Sequence, residues 1–255
     1  MAQSARDIAV VILAAGQGTR MKSARAKVLH ELCGRPMLGH VLSEAEALAP
    51  SRLLVVVGCD ADEVRAAFVG RADFVLQAEQ KGTGHAVQEA QPKLEDHEGD
   101  VLVLYGDTPL LRCETLLELR DFKARTGAAL AMLTSPEPLP GRVVRDATGA
   151  VSKIVEVTDA TPEELEIQEG NTGVYLFDAR LLREGLASLD DHNAQGERYL
   201  TDLVGFAVEG GHRLEGRIRR AERAAGPRWV EGQEVRPLEV PALHGGLPPL
   251  RRGGG

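Results

Sequence analysis

Cysteine is scarce in this chain. Cys33, Cys59 and Cys113 are its three cysteines, scattered without paired spacing. They suggest neither a disulfide framework nor a zinc site, and they fit a reducing, cytoplasmic setting. Long apolar runs are also missing. Residues 1–7 are polar, and the apolar run after them is too short for a signal peptide or a membrane span. Basic charge is in the minority, with a net charge of −8 and a pI near 5.5. That argues against a general nucleic-acid binder, which needs a basic footprint. An anionic substrate stays possible, because local cations or a metal override the net field. The seven histidines form no His-Glu-x-x-His or similar ligand set. No Ser-His-Asp or Cys-His nucleophile arrangement can be argued. What is present is ordinary for a soluble globular protein, 43% hydrophobic and 27% charged, in 255 residues that can bury a sizeable core.

The chain is organised around residues 13–21, Leu-Ala-Ala-Gly-Gln-Gly-Thr-Arg-Met. The apolar run at 8–13 reads as a buried strand, and the stretch follows it. After Leu13, itself a candidate nucleotide contact, Ala14, Ala15, Gly16 and Gly18 leave little side chain above the backbone, so a bound group can approach main-chain N–H donors closely. Arg20 and Lys27 add two cations within one short loop. That combination suits a nucleoside triphosphate, although a plain strand-to-helix turn fits the same residues equally well. Two phosphate motifs are excluded. The dinucleotide fingerprint needs a sixth-position glycine where Met21 stands, and the P-loop needs Lys-Ser/Thr where Thr19-Arg20 follows Gly18.

Beyond the loop, helical spacing covers 36–48, with Pro36 suited to the first position. Short β-branched or apolar runs at 53–57, 73–77, 101–105 and 128–134 read as strands. Helices are expected at 62–69, from about His85, and at 113–124. This alternation predicts an α/β fold with a Rossmann-like, mostly parallel sheet and helices on both faces. Ligands in such sheets sit at the carboxyl ends of strands, and the glycine-rich loop, Gln77 and Asp107 all fall there. From residue 136 the rhythm changes. A hairpin is expected around 146–149, a solvated loop or short helix at 159–169, a strand at 171–177 and helices at 181–189 and 199–208. This half, 135–215, reads as a small substrate-binding β extension packed on the sheet of the nucleotide half, 8–134. After residue 215 or so the segment becomes rich in Gly, Pro and Arg, and it is expected to be largely disordered.

Tyr105-Gly106-Asp107-Thr108-Pro109 places a carboxylate just past a strand, within reach of a divalent cation. Magnesium takes few carboxylates plus substrate phosphates, though a turn aspartate before proline is an equally ordinary reading. Gln77, Gln80, Gly82 and Thr83 lie in a polar loop whose amides can read a pyrimidine edge, each offering a donor and an acceptor. A solvated loop fits these residues as well. Glu156 and Asn171, near strand segments, are candidates to hydrogen-bond sugar hydroxyls. His85, at a helix start, is assigned no chemistry.

The pattern Leu-Ala-Ala-Gly-x-Gly-Thr-Arg-Met followed by a lysine resembles the signature of the sugar-1-phosphate nucleotidylyltransferases. Within them the likeness is to the uridylyltransferase domains acting on N-acetylglucosamine 1-phosphate. It covers roughly residues 8–215. The resemblance implies the nucleotide-diphospho-sugar transferase fold and transfer of UMP from UTP to N-acetylglucosamine 1-phosphate, a step toward cell-wall precursors. It implies magnesium on Asp107, a uracil-binding loop at Gln77, Gln80, Gly82 and Thr83, nucleotide contacts at Tyr105 and Gly106, and catalytic roles for Arg20, Lys27 and Asp107. It also implies a sugar-phosphate site at Gly141, Glu156, Asn171, Tyr199 and Thr201.

Three departures stand out. Ala26 replaces the proline usual before the lysine, so the Lys27 loop is expected to be less rigid. The second metal ligand implied by the resemblance is a late asparagine, and this sequence has no asparagine after Asn193. The β-helix acetyltransferase domain of the family is absent as well. These features suggest a truncated or frame-shifted end, a monomer and impaired turnover. Two alternatives remain: a related enzyme with thymidylyl or cytidylyl specificity, and a catalytically silent nucleotide- or sugar-binding protein.

Overall fold

The computed structural model describes residues 7–16, 18, 21, 23 and 25–218. Strand β1 (Ile8–Ala14) is apolar and buried along its whole length, as a strand covered on both faces must be. A one-turn 3-10 helix, Lys27–Leu29, leads to a two-stranded ribbon of β2 (Glu31–Leu32) and β3 (Arg35–Pro36). The alternation then runs through α1 (Met37–Glu46), β4 (Arg52–Val57), α2 (Ala61–Ala67), β5 (Asp73–Leu76), α3 (Thr83–Ala90), β6 (Asp100–Tyr105), α4 (Cys113–Thr126) and β7 (Leu130–Ser135). The remainder is β8 (Gly141–Arg145), β9 (Val151–Glu156), α5 (Pro162–Leu165), β10 (Gly170–Asp178), α6 (Ala179–Ser188), α7 (Asp202–Glu209) and β11 (Leu214–Ile218).

The main sheet has the order β11-β7-β10-β6-β1-β4-β5, with the β8–β9 hairpin attached through β10. β1 pairs in parallel with β4 on one side and β6 on the other. The chain therefore fills one side of β1 with β4 and β5 before crossing to β6, which opens a crevice at the carboxyl ends of β1 and β6. The strand period of two splits β1 between two cores. Ala9, Val11 and Leu13 pack with Val87 of α3, Leu182 of α6 and Leu203 of α7. Val10, Ile12 and Ala14 pack with Leu38 and Leu42 of α1 and Leu119 of α4. Residues from 8–134 and 135–215 thus share one sheet and both cores.

Four expectations shift. β10 is antiparallel and lies between β6 and β7, so alternation alone did not reveal that a strand from the second half would enter the sheet. Pro36 is the cap residue of α1, in extended conformation within β3, and the helix starts at Met37. Tyr199 and Thr201 precede α7, which starts at Asp202. β11 pairs in parallel with β7 along Leu214–Ile218, which carries the sheet past the boundary expected at residue 215. Of the segment expected to be disordered, residues 219–255 lie outside the described residues.

Candidate active site

The crevice contains a cleft of about 270 Å³. Ala14 ends β1, Ala15 is buried and Gly16 is exposed, with open space where a Cβ would stand. Gly18 has φ +58°, and a Cβ there would lie 2.6 Å from Lys27 Cβ. Glycine is needed on both counts, because the backbone is left-handed and the lysine stem packs directly on it. Ala26, 4% exposed, caps the turn that carries Lys27. Arg20 lies outside the described residues.

On the other side of the crevice, the Gly106 N–H donates to the Leu13 carbonyl at 2.9 Å. A Cβ at Gly106 would lie 3.3 Å from Ala14 Cβ, Leu13 O and Leu38 Cδ1 alike. This close approach sets Asp107 over the end of β1, where its carboxylate forms an ion pair with the Lys27 ammonium. Both side chains line the cleft.

The expected base-binding loop begins one residue past β5. The Gln77 N–H continues the ladder to the Val57 carbonyl at 2.8 Å, and the residue is 4% exposed. Its Nε2 donates to the Gly82 carbonyl at 3.0 Å and lies 3.0 Å from His85 Nδ1. Gln80 Nε2 donates to the Ala15 carbonyl, tying this loop to the glycine-rich one. Gly58 makes room for that tie, since a Cβ there would lie 2.6 Å from Ala15 O and 3.2 Å from Gln80 Nε2. Gly82, at φ +98°, caps α3 and packs on the Arg198 backbone, which a Cβ would approach to 2.5 Å. Three further bonds stitch the loop to the segment before α7. Gly84 N–H donates to Arg198 O at 2.8 Å, Arg198 N–H to Lys81 O at 2.8 Å, and Leu200 N–H to Thr83 Oγ1 at 3.1 Å.

Leu13, Ala14, Ala15, Gly16, Lys27, Gln77, Gln80, Gly82, Thr83, Tyr105 and Asp107 therefore line one cleft. Gly18 and Gly106 shape it from behind rather than lining it. The expected sugar-side residues Gly141, Glu156, Asn171, Tyr199 and Thr201 are not in its lining and form a neighbouring group. A Cβ on Gly141 would lie 3.0 Å from Asn171 Cβ. Asn171 Oδ1 accepts from the Gly173 N–H at 3.0 Å, Thr201 Oγ1 donates to Glu156 Oε1 at 3.5 Å, and the Tyr199 hydroxyl donates to Asp159 at 3.3 Å.

Tyr105 connects the two groups. Burial raises its hydroxyl well above the ordinary tyrosine value, and the charges of Glu156 and then Asp107 add to the rise. The phenol thus stays protonated between two carboxylates. Burial likewise raises Glu156, helped by Asp159 and Asp202 and opposed by the Thr201 hydrogen bond. Val28, Ala86 and Glu197 also line the cleft and were not singled out from the sequence. Val28 and Ala86 are apolar residues without a chemical signature, and Glu197 arrives from a distant segment.

Among the described residues no group of three or more His, Cys, Asp or Glu side chains is placed to hold a metal. The cleft's donor set is one oxygen ligand, Asp107, beside a place for phosphates. That set fits magnesium, which keeps waters and takes substrate oxygens, better than a metal held wholly by protein.

A family model for MobA-like NTP transferase domains matches residues 10–203. The chain belongs to that family. Within it, the chain is 50% identical over 197 residues to the bifunctional protein GlmU of Levilactobacillus brevis, covering 76% of this chain and 43% of that one. It is 51% identical over 208 residues to the bifunctional protein GlmU of Burkholderia multivorans, covering 80% and 46%. The GlmU of Pelotomaculum thermopropionicum is 49% identical over 208 residues, with the same coverage of 80% and 46%. The chain thus spans less than half the length of these relatives. As an NTP transferase domain related to GlmU, it is a nucleotidyltransferase by family, and its cleft lies where the open α/β sheet predicts. No helix among the described residues is long and apolar enough to cross a membrane.

Proposed function

We propose that this chain transfers the uridylyl group of UTP to N-acetylglucosamine 1-phosphate, releasing pyrophosphate and giving the UDP-sugar. The observation that carries this reading is the cleft itself. It brings Lys27, Asp107 and residues 13–16 together with Gln77, Gln80, Gly82 and Thr83 in one lining. The first set suits a triphosphate and the second a base.

In this reading a phosphate oxygen of the sugar 1-phosphate attacks the α-phosphorus. The new P–O bond forms as the α–β bridge breaks, and pyrophosphate leaves. The protein positions the reactants and neutralises charge. The exposed Gly16 backbone faces the triphosphate, with Gly18 supporting the Lys27 stem, and Lys27 exchanges its Asp107 partner for phosphate oxygens. Asp107, released from Lys27, would hold magnesium together with substrate phosphates, and the ion would supply charge neutralisation there. Tyr105, neutral and set between the two groups, separates nucleotide from sugar. Glu156, Asn171, Tyr199 and Thr201 receive the sugar.

The relatives' names and the likeness of the glycine loop support this reading. The test is pyrophosphate release with UTP, magnesium and N-acetylglucosamine 1-phosphate, compared with the other common nucleotides and sugar phosphates. Release that is no faster with UTP than with CTP would overturn it. Because the sequence carries no asparagine after Asn193, we also propose slow turnover with a raised magnesium requirement. A magnesium titration of the same assay reads this directly. Saturation and rate equal to those of a relative that carries the late asparagine would refute it.

A further inference from the structure

We propose that His85 is a positioning residue that locks the Gln77 amide with its carbonyl oxygen toward the base, and that this lock selects uracil over cytosine. The inference rests on the reading of the cleft as a nucleotide site and adds how that site tells two pyrimidines apart.

The orientation of a glutamine amide follows from what surrounds it. The Gly82 carbonyl can only accept a hydrogen bond, and it lies 3.0 Å from the Gln77 amide. The NH2 group must therefore face it. The second amide hydrogen points at His85 Nδ1, also at 3.0 Å. That nitrogen must then be the unprotonated one of the ring, with its hydrogen on Nε2. Nε2 lies 3.1 Å from Glu89 Oε1, one turn further along α3. A carboxylate accepts and does not donate, so Glu89 holds the ring in this tautomer. The chain Glu89–His85–Gln77–Gly82 has a single consistent assignment of donors and acceptors. It commits both amide hydrogens and leaves the Gln77 carbonyl oxygen as what the side chain offers the cleft it lines.

That oxygen works together with the backbone beside it. Gly82 and Thr83 line the same cleft at the start of α3, where N–H groups have no intrahelical acceptor. An N–H donor next to a carbonyl acceptor complements a ring carbonyl next to a ring N–H. Uracil presents that pair on either side of N3. Cytosine has one ring carbonyl, and seating it on the N–H donor turns the N3 lone pair against the Gln77 oxygen. If His85 could not accept, the amide would lose the partner that holds its second hydrogen. Only the Gly82 carbonyl would then hold the NH2 group, and turning it to donate to N3 of cytosine would cost one hydrogen bond instead of two.

The test measures UTP and CTP binding by calorimetry, so it does not depend on turnover, with pyrophosphate release measured alongside. In His85→Phe, which keeps bulk and loses the acceptor, the UTP-to-CTP affinity ratio is expected to fall on the order of tenfold, about the worth of one hydrogen bond. His85→Asn, whose amide oxygen can replace Nδ1, is expected to retain most of the ratio. Glu89→Ala, at a more exposed position, frees the tautomer and is expected to lower the ratio less; it carries the test should His85→Phe not fold. A parent that prefers UTP, with the ratio unchanged in His85→Phe and Glu89→Ala, overturns the positioning role and leaves the proposed function standing. The same overturning follows if His85→Asn loses as much as His85→Phe. A parent that binds UTP and CTP alike overturns the uridylyl reading itself, and this inference with it.

Discussion

Lys27 and Asp107 form an ion pair across the cleft, although 80 positions of sequence numbering separate them. Lys27 comes from a single 3-10 turn after the glycine loop, and Asp107 from the end of β6. Each side chain is about a quarter to a third exposed, 30% and 27%, so the pair contributes little to stability, on the order of 0–1 kcal/mol. Its consequence is for charge. A cation and an anion face each other where the triphosphate of the proposed reaction would lie, and each can exchange its partner.

Lys27→Ala should therefore leave the fold intact and slow the reaction. Loss of a preorganised cation that stabilises developing phosphate charge costs on the order of a hundredfold in rate. Pyrophosphate release at saturating UTP measures this, with circular dichroism as the control for folding. A rate within a few-fold of the parent would remove Lys27 from the mechanism.

Gly173→Ala should disturb the cleft from behind. Gly173 has φ +78°, and an added Cβ would lie 2.0 Å from Tyr105 Cε2. A left-handed conformation costs an alanine about 1–2 kcal/mol, and the Tyr105 ring must also shift. The expected outcome is a lower thermal midpoint together with raised KM for both substrates, since Tyr105 stands between them. Unchanged KM values would show that Tyr105 takes no part in seating either substrate.

Glu156→Gln should separate stability from function. Burial raises the Glu156 carboxyl above its ordinary value. The sign follows from linkage. A carboxyl raised in the folded state contributes stability that is present below its unfolded value and is lost as pH rises through its folded value. Replacing it by glutamine should thus raise the thermal midpoint at pH 7 and change it little at pH 3. In the proposed function the same change weakens sugar-phosphate binding, because the Thr201-bound carboxylate is lost as an acceptor. Thermal melts at the two pH values, with binding measured at pH 7, check both halves. A midpoint gain equal at both pH values would contradict the burial argument.

The legible part of this protein was local. Continuous apolar and β-branched runs placed β1, β4 and β6, and the small residues beside Lys27 marked part of the lining of the cleft. What stayed hidden came from distant pairing. β10 has the same apolar pattern whether it joins the sheet at an edge or antiparallel between β6 and β7. β11 is only five residues, Leu214–Ile218, with Gly216 at its centre, too weak a signal in isolation. Glu197 reaches the cleft because Gly82 and Gly84 allow the Arg198 backbone to approach, a contact that no spacing encodes. His85 was assigned no chemistry because its meaning depends on which Gln77 atom it faces, and that requires the fold.

The departure at Ala26 yields the last prediction. Proline is usual in the resembling family at this position, and Ala26 has φ −50° and ψ 133°. That φ lies within the range a proline ring imposes, about −65 ± 15°. The Ala26 carbonyl accepts from Leu29 N–H at 2.9 Å, and a proline keeps its carbonyl, so the turn that carries Lys27 can still form. Ala26→Pro therefore fits the native backbone and restricts mainly the unfolded chain. Such substitutions stabilise by about 0.4–1 kcal/mol. A second effect follows from position, because the next residue is Lys27, whose stem rests on Gly18. Stiffening the residue before it narrows the range of positions its ammonium samples, and catalysis of this kind depends on placement. The expected outcome is a higher thermal midpoint with an equal or faster rate of pyrophosphate release. Ala26 is 4% exposed, so the ring must also fit its packing. A lower midpoint would mean that the surroundings of Ala26 have closed over the space a ring needs. A higher midpoint with a slower rate would mean that Lys27 must move during turnover, as exchange between Asp107 and phosphate requires.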